Sequence, residues 1–119
     1  MKKYSDTMPL SLQPLGDGNY HYNYNITTEQ VEYMNGETRT QYVCDTVFIS
    51  GEPTIAKLVA AVIAESYTAD DIALLTAQHQ AAEQGIGEEP DGYVEYLTLV
   101  SETNEAAQQI INLFNQSND

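Results

Sequence analysis

Tyrosine recurs at every second position from Tyr20 to Tyr24, and the series closes on Ile26, with Asn19, His21, Asn23 and Asn25 between. A period of two is what a strand with one covered face requires, because successive side chains leave a pleated backbone on opposite sides. That period does not survive past Gly51. Beyond it Ala, Leu, Ile, Glu and Gln replace the β-branched and aromatic residues, and apolar positions recur at three- and four-residue spacing. A strand-forming half followed by a helix-forming half is the signature of an α+β fold.

Within the first half, the alternation loosens at Thr27 and Thr28 and resumes on odd positions at Val31 and Tyr33, which predicts a bulge or a break. Asn35-Gly36 then supplies the positive φ angles of a two-residue hairpin turn. Thr38, Thr40 and Tyr42, followed by Val43, Val47, Phe48 and Ile49, form the return strand. The expectation is a Tyr-rich antiparallel hairpin over residues 19–50, of two strands or three. Residues 1–18, with Pro9, Pro14, Gly16 and Gly18, carry no sustained period and read as an irregular arm. An isolated hairpin is marginal in water, so this one must pack on the helices or on another copy of itself.

The second half reads as three helices, and residues 19–119 as a single domain. Pro53 sits where a first-turn proline belongs, ahead of Ile55, Leu58, Val59, Val62 and Ile63, for a helix over about 53–67. Thr68 and the acids Asp70 and Asp71 open a second helix over about 69–84, with Ile72, Leu74, Leu75 and Ala82 inward and Gly85 and Gly87 as its stop. A third runs over about 90–115, either in one piece or broken near Ser101 to Asn104.

Charge narrows function more than any motif does. Eighteen acidic residues face four basic ones, Lys2, Lys3, Arg39 and Lys57, for a net charge of −14. Such a surface repels nucleic acid and anionic membrane. The longest apolar stretch, Leu58 to Ala64, is too short to span a bilayer, and the N-terminus lacks a hydrophobic signal core. Cys44 is the single cysteine, consistent with a reducing compartment, and synthesis in the cytoplasm is expected. Without that secretory context the sequons at Asn25 and Asn115 carry no meaning.

No Gly-x-Ser-x-Gly, Cys-x-x-Cys, phosphate-loop or His-Glu-x-x-His motif occurs. His21, His79 and Cys44 are the only obvious nucleophile or base candidates, and a Cys-His pair brought together by the fold is the one nucleophilic arrangement left open. Glu83, Glu88, Glu89, Asp91 and Glu95 form the densest acidic stretch, but their spacing does not match a calcium loop and suits a solvated loop and helix start. We therefore expect no enzyme, no metal and no cofactor.

Two candidate interaction surfaces remain. Tyr20, Tyr22 and Tyr24 could stack bases or sugars, yet such platforms need cations for the phosphates, and only Arg39 is near in sequence. The alternative, which we prefer, is that the rings cover the helices while Asn and His face water. Tyr93, Leu97, Val100, Asn104, Ala107, Ile111 and Phe114 recur in a four-three step, a heptad-like seam with polar Asn104 at a core position. Val94, Leu99, Ile110 and Leu113 widen that stripe, which favours packing within the domain and leaves self-association through the helix open.

The order of these signals resembles a loose group of small uncharacterised proteins encoded by phages and prophages of gut bacteria. The tyrosine hairpin, the join Ser50-Gly-Glu-Pro-Thr54 into Leu58-Val59-Ala60-Ala61-Val62-Ile63, and Tyr67-Thr68-Ala69-Asp70-Asp71 carry the likeness, which spans about Asn19 to Ile111. The chain departs from that group in having no Trp and no Lys or Arg after Lys57. The resemblance implies a virion-assembly or decoration role, and a location in the host cytoplasm or the virion. Two functions follow as expectations. The first is a structural or accessory interaction module, a homo-oligomer or a component docked in a larger assembly through its hairpin edge or last helix. The second is an acidic decoy for a nucleic-acid-binding defence protein, its carboxylates standing in for phosphates.

Overall fold

Four antiparallel strands and three helices are arranged in a computed structural model that describes residues 1–117; the last two positions of the expected domain lie outside the described residues. The order is β1 (Lys2–Ser5), β2 (Leu12–Pro14), β3 (Tyr20–Glu32), β4 (Thr38–Ile49), α1 (Ile55–Ser66), α2 (Ala69–Glu83) and α3 (Tyr93–Ser117). The fold is α+β, and the tyrosine series lies within the sheet. Two compact units divide it: Met1–Thr54 together with the chain from Leu113 onward, and Ile55–Asn112.

In the first unit the strands are ordered β1-β4-β3-β2. The expected hairpin is its centre, but the first eighteen residues are not an irregular arm. β1 pairs with β4 through Lys2↔Asp45 to Ser5↔Tyr42, and β2 pairs with β3 through Leu12↔Tyr22 to Pro14↔Tyr20. Strands of four and three residues are too short to display an alternation, and their pairing is dictated by partners far along the chain.

The register slips where the alternation faltered. Tyr24 faces Asp45 and Thr27 faces Val43, so Asn25 and Ile26 together oppose Cys44. Asn25 takes φ 52°, the only positive value at a non-glycine among the described residues, and its Nδ2 donates to Asp45 Oδ2 at 3.1 Å. This is a β-bulge within one continuous strand, not a break.

The turn corrects the sequence expectation. Tyr33 N–H donates to the Glu37 carbonyl at 2.8 Å, and Gly36 N–H to the Tyr33 carbonyl at 2.9 Å. Of Asn35 and Gly36 only Gly36 has positive φ, 83°. That is a three-residue loop, a turn closed by a left-handed glycine, rather than a two-residue turn. Asn35 contributes through its side chain, whose Oδ1 accepts from Glu37 N–H at 3.0 Å.

In the second unit, α1 starts at Ile55, two residues after Pro53, and buries Leu58, Val62 and Ile63. α2 opens on a reciprocal cap: Asp71 N–H donates to Thr68 Oγ1 at 3.1 Å, and Thr68 N–H donates to Asp71 Oδ2 at 3.0 Å. It closes where Gly85 (φ 79°) lets Ile86 N–H reach the Ala81 carbonyl and Gly85 N–H the Ala82 carbonyl. α2 buries no residue fully, and Leu74, expected inward, is exposed. α3 is unbroken through Ser101–Asn104. Among the described residues no helix is long and apolar enough to cross a membrane.

Candidate interaction surfaces

The bulge and the pairing sort the sheet's side chains onto two faces. Tyr20, Tyr22 and Tyr24 share one face with their β4 partners Ile49, Val47 and Asp45. Tyr22 is 3% exposed, and burial raises its phenol pKa above the ordinary value. Its ring stacks on Tyr24 at 5.3 Å, while Tyr20 meets the edge of Phe114 at 5.7 Å. Tyr22 therefore offers no stacking surface, and Tyr20 and Phe114 are engaged with each other inside the unit.

The opposite face was expected to meet water; Phe48 on it is 56% exposed and His21 half-buried, but its centre is closed. Asn23 and Thr46, paired across β3 and β4, are 1% and 2% exposed. The link between β1 and β2 joins the two outer strands of the sheet, and it supplies the covering polar partners. Asn23 Nδ2 donates to the Leu10 carbonyl at 2.7 Å, and its N–H to the Ser11 carbonyl at 2.8 Å. The Thr46 hydroxyl donates to Asn23 Oδ1 at 2.7 Å. On the same face Lys3 Nζ donates to Gln13 Oε1 at 2.5 Å, tying one outer strand to the other. An amphipathic pattern cannot reveal this, because an Asn satisfied by backbone carbonyls looks like an Asn in water.

Beyond the bulge the sheet narrows to two strands. β2 covers β3 only at Tyr20–Tyr22, and β1 covers β4 only at Tyr42–Asp45. Thr27–Glu32 and Thr38–Gln41 thus form a ribbon that, among the described residues, has no strand on either outer edge. Its side chains are exposed apart from half-buried Val31 and Gln41, and Met34 stands fully exposed at the tip. Arg39 lies over the Tyr33 ring at 5.0 Å and pairs with Glu37 at 3.5 Å.

Comparison with protein-family models, curated proteins and solved structures yields no match.

The helical unit holds an open apolar cleft of about 530 Å³. Ala56, Ala60 and Ala64, one turn apart on α1 and all exposed, form its floor above buried Ile63. Val100 and Asn104 of α3 form the facing wall. Tyr67 and Tyr96, edge to face at 5.2 Å, stand at one end with Ile72. Of the expected α3 seam, Ala107 and Ile111 are buried and Tyr93 is half-buried, but Leu97 is 45% exposed and Asn104 is exposed as well. Asn104 is no core position: Thr103, 8% exposed, takes the inward place beside it. Val100 and Asn104 are brought together at the cleft, and the tyrosines of β3 belong to the other unit. The alanine row that makes the cleft was readable at i, i+4, i+8, but small residues carry little weight in an apolar pattern.

The acidic loop after α2 is partly engaged. His79 stacks on Tyr93 at 4.1 Å, its Nε2 lies 2.9 Å from Glu83 and its Nδ1 2.5 Å from Glu89. The hydrogen bond with Glu89 chiefly, and both carboxylates together, raise its pKa above 6.5, favouring an imidazolium that donates to both. Both ring nitrogens are thereby occupied. Cys44 is 2% exposed, with the Thr46 hydroxyl 3.8 Å from its Sγ. A buried thiol of this kind behaves as a small core side chain.

Proposed function

We propose that the protein is a non-catalytic structural or accessory module that associates with copies of itself through the ribbon of β3 and β4. The open pair of ribbon edges carries this reading, since unpaired backbone N–H and C=O groups in extended conformation are templates for a further strand. The resemblance in order of signals to phage- and prophage-encoded proteins is a second support. With that origin, the module would act in a virion or in its assembly in the host cytoplasm.

Hydrogen-bond parity makes the reading testable. Because Tyr33 and Glu37 are a bonded pair, alternation along the ladder turns the N–H groups of Gln30 and Thr40 outward. Gln30→Pro and Thr40→Pro therefore delete an edge donor without removing a backbone bond inside the ribbon, each losing only the exposed side-chain bond from Gln30 Nε2 to Thr40 Oγ1 at 3.1 Å. Light scattering behind size exclusion, at low and high salt, is expected to show a defined homo-oligomer that survives high salt and that either proline variant reduces to smaller species. A monomer at both salts overturns the proposal.

The second reading, an acidic decoy for a basic nucleic-acid-binding protein, draws on residues 55–112, which hold ten acidic side chains against Lys57 alone. Salt separates the two. Decoy binding collapses as ionic strength rises, whereas strand pairing persists.

A further inference from the structure

The two edges of the ribbon differ in charge. Along β3 the open stretch Thr27–Glu32 carries Glu29 and Glu32, whereas along β4 the open stretch Thr38–Gln41 carries Arg39 and no acid. All three charged residues are exposed. The ladder fixes which backbone groups each edge presents. Because Tyr33 and Glu37 are a bonded pair, alternation turns Thr28, Gln30 and Glu32 outward on one edge, and Thr38 and Thr40 outward on the other. Glu29 and Arg39 lie between those positions. Their own partners, Gln41 and Val31, place both on one face of the ribbon.

These positions discriminate among the ways in which two copies can meet. Two β3 edges paired about Gln30 bring Glu29 and Glu32 of both copies into one junction, with the two Glu29 side chains on a diagonal. Two β4 edges paired about Arg39 set arginine opposite arginine. Paired about Thr40 they need Tyr42, whose outer side β1 already occupies through Ser5. A β3 edge against a β4 edge avoids both conflicts. With Gln30 opposite Thr38 of the next copy, Thr28 meets Thr40 and Thr27 meets Gln41, so the open stretch of β4 is used as far as β1. Glu29 then stands directly opposite Arg39 of the next copy. The two make a non-hydrogen-bonded pair, the kind in which Cα atoms approach to about 4.5 Å and side chains lie closest. Within its own chain Arg39 meets exposed Glu37 through Nη2 at 3.5 Å, and a guanidinium has further N–H donors to spare for a second carboxylate. We infer that, given association through the ribbon, copies join head to tail, β3 edge to β4 edge, with Glu29 of one copy paired to Arg39 of the next. Each copy contributes both edges, and the defined oligomer is a ring rather than a two-fold dimer.

Complementation of blocked edges tests it. Gln30→Pro closes the β3 edge and leaves the β4 edge open, and Thr40→Pro does the reverse. Each variant alone is expected to be a monomer by light scattering behind size exclusion. An equimolar mixture is expected to give a one-to-one heterodimer, because one intact edge of each kind remains. A variant that dimerises on its own shows like edges pairing, which overturns the head-to-tail arrangement while association through the ribbon survives. A parent chain that is a monomer overturns both. Two monomers that stay apart when mixed, although circular dichroism shows each folded, overturn the inference as well. Cysteine pairing reads the register without proline, and so decides the case should a proline variant misfold. Glu29→Cys and Arg39→Cys are mixed at concentrations where the parent is assembled and oxidised with diamide. A covalent heterodimer is expected in at least tenfold excess over the cross-linked product of either variant alone, since an opposed non-bonded pair suits disulfide geometry. Cys44, 2% exposed, is shielded from this exchange. Equal cross-linking in the separate variants, or none in the mixture while the parent is oligomeric, overturns the inference.

Discussion

Asn23 shows how much a single polar side chain organises here. It lies on the sheet face opposite the tyrosines, and every polar atom of its side chain is matched: the Leu10 carbonyl on Nδ2 and the Thr46 hydroxyl on Oδ1. The link between β1 and β2 is therefore held to the sheet by side-chain chemistry, in addition to the two short strands at its ends. Asn23→Ala leaves a buried hydroxyl and a carbonyl without their partner, a loss of about 2–3 kcal/mol, and for a chain this size a melting temperature lower by roughly 10 °C. The double variant Asn23→Leu/Thr46→Val removes both side-chain polar groups and should recover part of the loss. Thermal denaturation followed by circular dichroism measures both. A single variant that melts within a degree or two of the parent would show that the pair does not hold the crossing segment.

At the scale of the element, the hairpin turn and the last helix show what a pattern can and cannot reveal. The turn was legible as a place but not as a type. Gly36, at φ 83° and with open space where a Cβ would stand, is needed for its backbone and not for room. Gly36→Val should cost about 1–2 kcal/mol through conformation alone, whereas Asn35→Ala removes one exposed hydrogen bond and should cost about 0.5–1 kcal/mol. Denaturant titration distinguishes them, and equal large losses would restore the two-residue turn, in which both positions need positive φ. In α3 the four-three seam fails at its N-terminal end for a geometric reason. Counting back from Phe114, a straight helix returns to the same face after eighteen residues, at Tyr96, while a strict heptad step arrives at Leu97. The drift of about 20° per heptad moves Asn104 out and Thr103 in. The bulge announced itself because a period of two tolerates no slip. β1, β2 and the cleft did not, since each depends on residues that meet only once the chain is folded.

For the whole molecule, the charge of −14 and the clasped His79 act on stability in the same direction over neutral pH. Raising pH discharges the imidazole between Glu83 and Glu89. Because the folded His79 pKa lies above its ordinary 6.5, its contribution is fully present below about 6.5 and is lost as pH rises through the folded value. Asp45 works from the other side. Its hydrogen bond from Asn25, with help from Lys2, holds its pKa below 3.8, so its contribution is present above that value and is lost as pH falls through the folded one. Stability should therefore peak between these limits, in mildly acidic solution, where self-repulsion is also weaker than at pH 8. Melting temperatures are expected to rise from pH 8 to about pH 5.5. His79→Gln should flatten that rise. Salt separates the two causes, because at 0.5 M the repulsion across the surface is screened, while the contacts of His79, 2.5 and 2.9 Å long, are screened much less. A pH step that disappears in salt and ignores His79→Gln would assign the whole effect to net charge, and the clasp would then be a geometric closure of the loop between α2 and α3 without a role in its stability.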